Sequence, residues 1–297
     1  MATCAINPWA AGPSPLRSPW SQRRSAPFWV SLCCVPLLAA SCVAPTTRAA
    51  AAMDAASTSE WQVVGTSAEG RPVRARTLGR GDQRDGRRVA VIAGIHGDET
   101  EGLQNLTALI TLLAESDACV RLIEDVSPDG TARGTRHTAS GVDPNRNWPA
   151  HNFTPDRSRG PAPLSEPEVA AVHDDLVRFA PELVVVLHST KRGPFVNYDG
   201  PARALAERFA SAARAPWRVV ADMGYATPGS FGTWMGIDRG VPTLTVEFKR
   251  GDGADVTGPP LMRGLKAVLA AFLAGAAAPD EDKDEHERAH PPAPRVR

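Results

Sequence analysis

Residues 88–99 read Arg-Val-Ala-Val-Ile-Ala-Gly-Ile-His-Gly-Asp-Glu. A short apolar, β-branched run with no polar alternation predicts a strand covered on both faces. It leads directly into three polar side chains. Leu103, Leu106, Ile110 and Leu113 then recur at helical spacing, which predicts a helix after the turn. The same alternation continues along the chain. Cys119 to Ile123, Glu182 to Leu187 and Thr243 to Phe248 are strand-like. Val169, Val172, Leu176 and Phe179 share one helical face behind a Ser165/Glu168 pair at capping-box spacing, and Leu261, Leu265, Val268, Leu269 and Phe272 share another. This pattern predicts an α/β fold, a mixed, mostly parallel central sheet with helices on both faces, in one catalytic domain over 60–275. In such folds function gathers at the carboxyl ends of the strands.

The flanks read differently. Arg17, Arg23 and Arg24 precede an apolar run from Phe28 to Ala40, too short for a bilayer-spanning helix of about 20 residues, so 1–42 is expected to be an export signal. That run ends in Leu38-Ala39-Ala40-Ser41-Cys42, which resembles a bacterial lipoprotein processing site. Lipidation of Cys42 and simple cleavage near the alanines both fit. The expected location is the periplasm or cell envelope, with membrane contact only through such an N-terminal lipid. Residues 43–59, rich in Ala, Thr and Ser, read as a linker, and 276–297, with Asp280 to Glu285 ahead of prolines, as a disordered charged tail. The chain carries 33 basic and 33 acidic side chains, so no global field draws it to nucleic acid. Of five cysteines only Cys119 lies in the catalytic region, which excludes a disulfide framework or a cysteine metal site there.

Chemistry is concentrated in four places. His96 and Glu99 stand three apart on a turn, where both can face one ion, and Gly97 is expected to permit an unusual backbone between them. Alone this spacing also fits a solvated loop. His188 follows the apolar Val184-Val185-Val186-Leu187. Two histidines and a glutamate form the ligand set of an open catalytic zinc site. Glu247 lies within the strand-like Thr243-Leu244-Thr245-Val246-Glu247-Phe248, where an unpartnered carboxylate is costly, and a general base beside a metal-activated water is a reason for it. In Asp143-Pro144-Asn145-Arg146-Asn147-Trp148, Arg146 offers a planar fork suited to a carboxylate and Asn145 a donor beside it. A polar loop that binds nothing is the alternative.

In identity and order, His96-x-x-Glu99, Asn145-Arg146, His188-Ser189 and Glu247 resemble the zinc carboxypeptidase family. GIHGDE at 94–99, SPDG at 127–130, GTRHTASGVDPNRNW at 134–148, SEPE at 165–168 and GYATPGSFGTW at 224–234 resemble its bacterial murein peptide amidases, which hydrolyse the γ-D-glutamyl to diaminopimelate bond of murein peptides. The resemblance covers residues 85 to 250. It implies one Zn2+ per chain held by His96, Glu99 and His188, with Glu247 as catalytic base. It further implies Arg136 as oxyanion stabiliser, with Arg133 as the alternative, Asn145 and Arg146 on the substrate carboxylate, Tyr225 closing over the substrate, and Asp143 orienting His96. SPDG stands where related enzymes usually have NPDG, and the stretch from Ser189 to Gly200 differs from the murein amidases. Two other readings keep parts of this: an N-acyl amino acid amidohydrolase resembling the succinylglutamate desuccinylase and aspartoacylase group, and a non-catalytic cell-wall-binding lipoprotein.

Overall fold

A computed structural model of the chain describes residues 60–84 and 86–275. The expected export signal, linker and charged tail, and Cys42 with them, lie outside the described residues. Among the described residues no helix is long and apolar enough to cross a membrane.

The chain enters through two strands, β1 (Gln62–Thr66) and β2 (Pro72–Leu78), then forms β3 (Arg88–Ile92). Two helices follow, α1 (Glu101–Gln104) and α2 (Leu106–Ala114), then β4 (Cys119–Ile123) and α3 (Pro128–Arg133). A 3-10 turn at Pro144–Arg146 precedes α4 (Pro167–Phe179), β5 (Leu183–Thr190), β6 (Phe195–Asp199) and α5 (Arg203–Ala213). A π-helical turn at Thr233–Asp238 leads into β7 (Thr243–Lys249) and α6 (Ala254–Leu273). The seven strands form one sheet in the order β1-β2-β4-β3-β5-β7-β6. Its four central strands, β4, β3, β5 and β7, are parallel, and the outer strands pair antiparallel.

Because side chains alternate across a strand, each central strand feeds two apolar layers. Val89, Val91, Val185, Leu187, Leu244 and Val246 pack with Leu109, Phe209 and Leu265 on one face. Ala90, Ile92, Val184 and Val186 pack with Val169, Leu176, Trp148 and Trp234 on the other. Each large side chain buried in these layers contributes roughly 1.5–3 kcal/mol of transfer free energy. The same parity positions the polar residues. His188 continues the Val184-Val186 face, and Glu247, alternating with Val246 and Phe248, lies on that face too.

Several local expectations are corrected. Ser165 does not cap α4: Glu166 stands at the N-cap and makes no side-chain cap bond, and Pro167 opens the helix. Ser165 Oγ serves Asn147 Nδ2 instead, at 2.9 Å. The helical run after residue 100 is two helices, divided at Asn105, whose Nδ2 donates to Glu101 O and to Thr257 Oγ1, both at 2.8 Å. The left-handed backbone belongs to Gly94 (φ 65°), not Gly97. Gly97 is needed for close approach, since a Cβ there would lie 2.0 Å from the Gly130 carbonyl carbon. β1, β2, β6, α3 and α5 lie outside the predicted elements, although α5 buries one face through Leu205, Ala206, Phe209, Ala210 and Ala213.

Candidate active site

The parallel strands deliver three potential ligands to one point. His96 lies just beyond β3, Glu99 on the turn that follows, and His188 within β5. Their candidate ligand atoms all lie within 4.8 Å of one another, and all three residues are buried. His96 Nδ1 stands 3.0 Å from Glu99 Oε1, and His188 Nδ1 stands 2.7 Å from Glu99 Oε2. His96 is braced on its far nitrogen, with Nε2 held 3.0 Å from Asp143 Oδ1, while the Asn145 side-chain nitrogen lies 3.4 Å from His188 Nε2. A ring held from behind presents a set face to an ion, which is the arrangement of a metal-ligating histidine.

The electrostatics follow from that packing. Burial would raise the Glu99 pKa, but the adjoining His188 and His96 hold it well below the usual carboxylate range. Asp143 is likewise held low, burial being outweighed by His96, Arg136 and Arg146. His96 is raised, its burial outweighed by Asp143 and Glu99. Glu247 moves the other way from Glu99 and Asp143. Burial pushes its carboxyl up, and the neighbouring Glu99 adds to this against the pull of His188 and His96. Its Oε2 is buried without a hydrogen-bond partner. In the parallel register Glu247 is the partner of His188.

A cavity of about 920 Å³ opens on this cluster. Arg136, Asn145, Arg146, Tyr225 and Glu247 all line it. Arg136 donates through Nε to Asp143 Oδ2 at 3.0 Å and through Nη1 to Glu99 Oε1 at 3.1 Å. Arg133 instead pairs with Glu69, so the alternative assignment has no support in space. Arg146 is held by its own Nη1 bond to Asn145 O at 2.7 Å, and Asn145 Oδ1 accepts from Phe231 N at 2.9 Å. The rest of this motif is scaffold: Asn147 ties down Arg159 O and Ala162 O, and Trp148 stacks on Trp234. SPDG is scaffold as well, with buried Asp129 accepting from Ser67 Oγ and Arg71 Nη1, both at 2.7 Å. Tyr225 stands half exposed at the rim.

His151 and Arg250 also line the cavity. His151 lies on its wall with Nδ1 held 2.5 Å from Asp238 Oδ1. Arg250, three residues after Glu247, reaches Glu99, with Nη2 donating to Oε1 at 2.9 Å.

A zinc carboxypeptidase family profile matches residues 48–223. The chain belongs to the zinc carboxypeptidase family. Murein peptide amidase A of Escherichia coli K12 is 33% identical over 175 residues, 53% of this chain and 69% of that protein. Murein peptide amidase A of Vibrio campbellii is 35% identical over 181 residues, 54% of this chain and 69% of the relative. The crystal structure of murein-tripeptide amidase from Escherichia coli O157 superposes with a TM-score of 0.58 at 26% identity, covering 70% of this chain and 91% of that one. Carboxypeptidase A of Helicoverpa armigera, 17% identical with a TM-score of 0.61 over 76% of this chain and 71% of that one, shares the fold. The chain is therefore an enzyme of the zinc metallopeptidase type. The His-Glu-His donor set, with His96 held from behind by Asp143, fits the metal that this zinc carboxypeptidase family implies. The matched stretch carries His96, Glu99 and His188 but ends before Tyr225 and Glu247.

Proposed function

We propose that the enzyme hydrolyses a peptide bond next to a free carboxylate, and that its substrate is the γ-D-glutamyl to diaminopimelate bond of murein peptides. The observation that carries the catalytic reading is the pairing of Glu247 with His188, which sets a buried, proton-avid carboxyl beside the three-ligand cluster. The substrate follows from the murein peptide amidases to which the chain is similar.

His96, Glu99 and His188 would hold zinc, which when bound supplies Lewis acidity toward a water molecule and a carbonyl oxygen. Glu247 takes a proton from the attacking water as its oxygen bonds to the carbonyl carbon, and returns that proton to the departing amine as the C–N bond breaks. Burial favours the protonated state of Glu247, which brings its proton affinity nearer to neutral pH, where a base that must also act as an acid works best. Arg136, fixed by Asp143 and Glu99, faces the charge that develops on the carbonyl oxygen. Asn145 and Arg146 bind the carboxylate of the leaving residue, and Tyr225 at the rim closes over it. Asp143 keeps His96 in its ligating orientation.

The Arg17 to Cys42 sequence supports an exported protein, lipidated at Cys42 or cleaved near the preceding alanines, and export would bring the enzyme to murein. Mass spectrometry of the protein from its native membrane distinguishes the two processing outcomes. The catalytic reading is tested by product analysis after incubation with a γ-D-glutamyl-diaminopimelate peptide, with and without a chelator. Release of free diaminopimelate that stops on chelation supports it. Cleavage of N-acetylaspartate or succinylglutamate in its place, or no metal-dependent cleavage of either class, refutes it.

A further inference from the structure

The chemistry above gives no role to Arg250, which lines the same cavity. Arg250 leaves the end of β7 and folds back over the His96–Glu99 turn. Its Nη1 donates to Asp98 Oδ2 and its Nη2 to Glu99 Oε1, both at 2.9 Å, while Nη2 also donates to Ser189 O at 3.1 Å. The backbone closes the same seam. Arg250 N donates to Thr190 O at 3.0 Å, and Gly251 N donates to Glu101 Oε1 at 2.6 Å. Three segments distant in sequence, the metal turn, the end of β5 and the end of β7, thus meet on one guanidinium.

We propose that Arg250 is a positioning residue for the metal ligand Glu99, and that its fork raises zinc affinity by fixing the carboxylate before the ion arrives. A glutamate side chain loses rotamer freedom when it is immobilised, and a site that has already ordered it binds with less loss. Asp98 and Glu99 are adjacent like charges, and the planar guanidinium bonds both at once, which one ammonium does less well. A cation near a dication also repels it, and this opposes the effect. The two carboxylates on the fork offset that charge; Arg136 Nη1 and Ser189 N also donate to Glu99 but bond no atom of Asp98. The proposal rests on the reading that His96, Glu99 and His188 bind zinc, and it concerns the strength of that binding.

The test is the zinc dissociation constant, measured by competition with a chromophoric chelator, for the purified wild-type chain and its Arg250→Gln, Arg250→Lys and Glu99→Ala variants. Thermal melts of the metal-free proteins accompany it. Arg250→Gln is expected to weaken zinc binding about 10- to 100-fold, the usual cost of losing a partner of a metal ligand. Arg250→Lys should recover part of this, and turnover of Arg250→Gln should climb with added zinc at concentrations where the wild type is already saturated. If Arg250→Gln does not fold, a weakened constant in Arg250→Lys, which keeps the charge but not the fork, supports the same conclusion. Equal or tighter binding in the variants overturns the proposal, as does a turnover defect that excess zinc leaves untouched, which would place Arg250 on the substrate. A wild type whose zinc binding is indifferent to Glu99→Ala overturns the metal reading itself, and the proposal with it.

Discussion

His188 of β5 and Glu247 of β7 are register partners on adjacent parallel strands, with their side chains on the same face of the sheet. Neighbouring strands lie about 4.8 Å apart, so this register alone brings a candidate ligand and a candidate base within reach of one water molecule. A slip of one residue would replace Glu247 with Val246 or Phe248 and turn the carboxyl into the opposite apolar layer.

Glu247→Gln therefore removes proton transfer without disturbing the ligands. We expect kcat to fall by about 10²- to 10⁴-fold. Metal analysis of the variant should still find zinc at the wild-type ratio, and an active Gln enzyme would refute the assignment.

Arg146→Gln removes the charged fork and leaves the metal cluster in place. The loss of charge-assisted hydrogen bonds is about 1.5–3 kcal/mol, a fall of roughly 10- to 100-fold in kcat/KM, expressed mainly in KM. A substrate amidated at that carboxylate should lose the same factor with the wild type and little more with the variant.

Glu168 gives a pH signature independent of catalysis. Its side chain is fully buried, and neither oxygen makes a hydrogen bond of ordinary geometry. Burial, reinforced by Glu166 and Asp129, raises its pKa from 4.5 to about 7. A carboxyl raised on folding contributes stability that is complete below the unfolded pKa and is lost as pH rises through the folded one. Glu168→Gln, always neutral, should match the wild type near pH 4 and exceed its stability above about pH 8 by up to about 3 kcal/mol. Denaturant unfolding of both proteins across that window reads the difference, and parallel curves would exclude this origin.

Gly97→Ala tests whether the metal turn needs its tight seat. The added Cβ would meet the backbone of Gly130 at 2.0 Å, a contact that backbone must relieve by moving. The cost is expected at about 1–3 kcal/mol of stability together with weaker zinc binding, since His96 and Glu99 flank the displaced residue. Thermal melting and metal titration of the variant measure both.

Much of this was legible in the residues. Val89 to Ile92, Val184 to Leu187 and Leu244 to Val246 announce buried strands because a strand covered on both faces has no polar alternation to disguise it. His96, Glu99, His188 and Glu247 could be picked out because each interrupts or ends such a run. The edge strands were less legible: no β1 residue is fully buried, β2 alternates exposed and buried positions only over its first four residues, and β6 pairs antiparallel at the sheet's margin. Arg250 was passed over because a lone charged side chain in a loop carries no local signal of its partner.

The sequence by itself determined which chemical groups are present and that they stand at strand ends, because strand formation and side-chain type are local properties of the chain. Tertiary structure decided which groups meet. The β4-β3-β5-β7 order, the pairing of His188 with Glu247, the clasp of Arg250 on Asp98 and Glu99, and the choice of Arg136 over Arg133 all depend on contacts between segments far apart in the chain. Those contacts are set by how two apolar layers close over one sheet, and no spacing within a single segment encodes that closure.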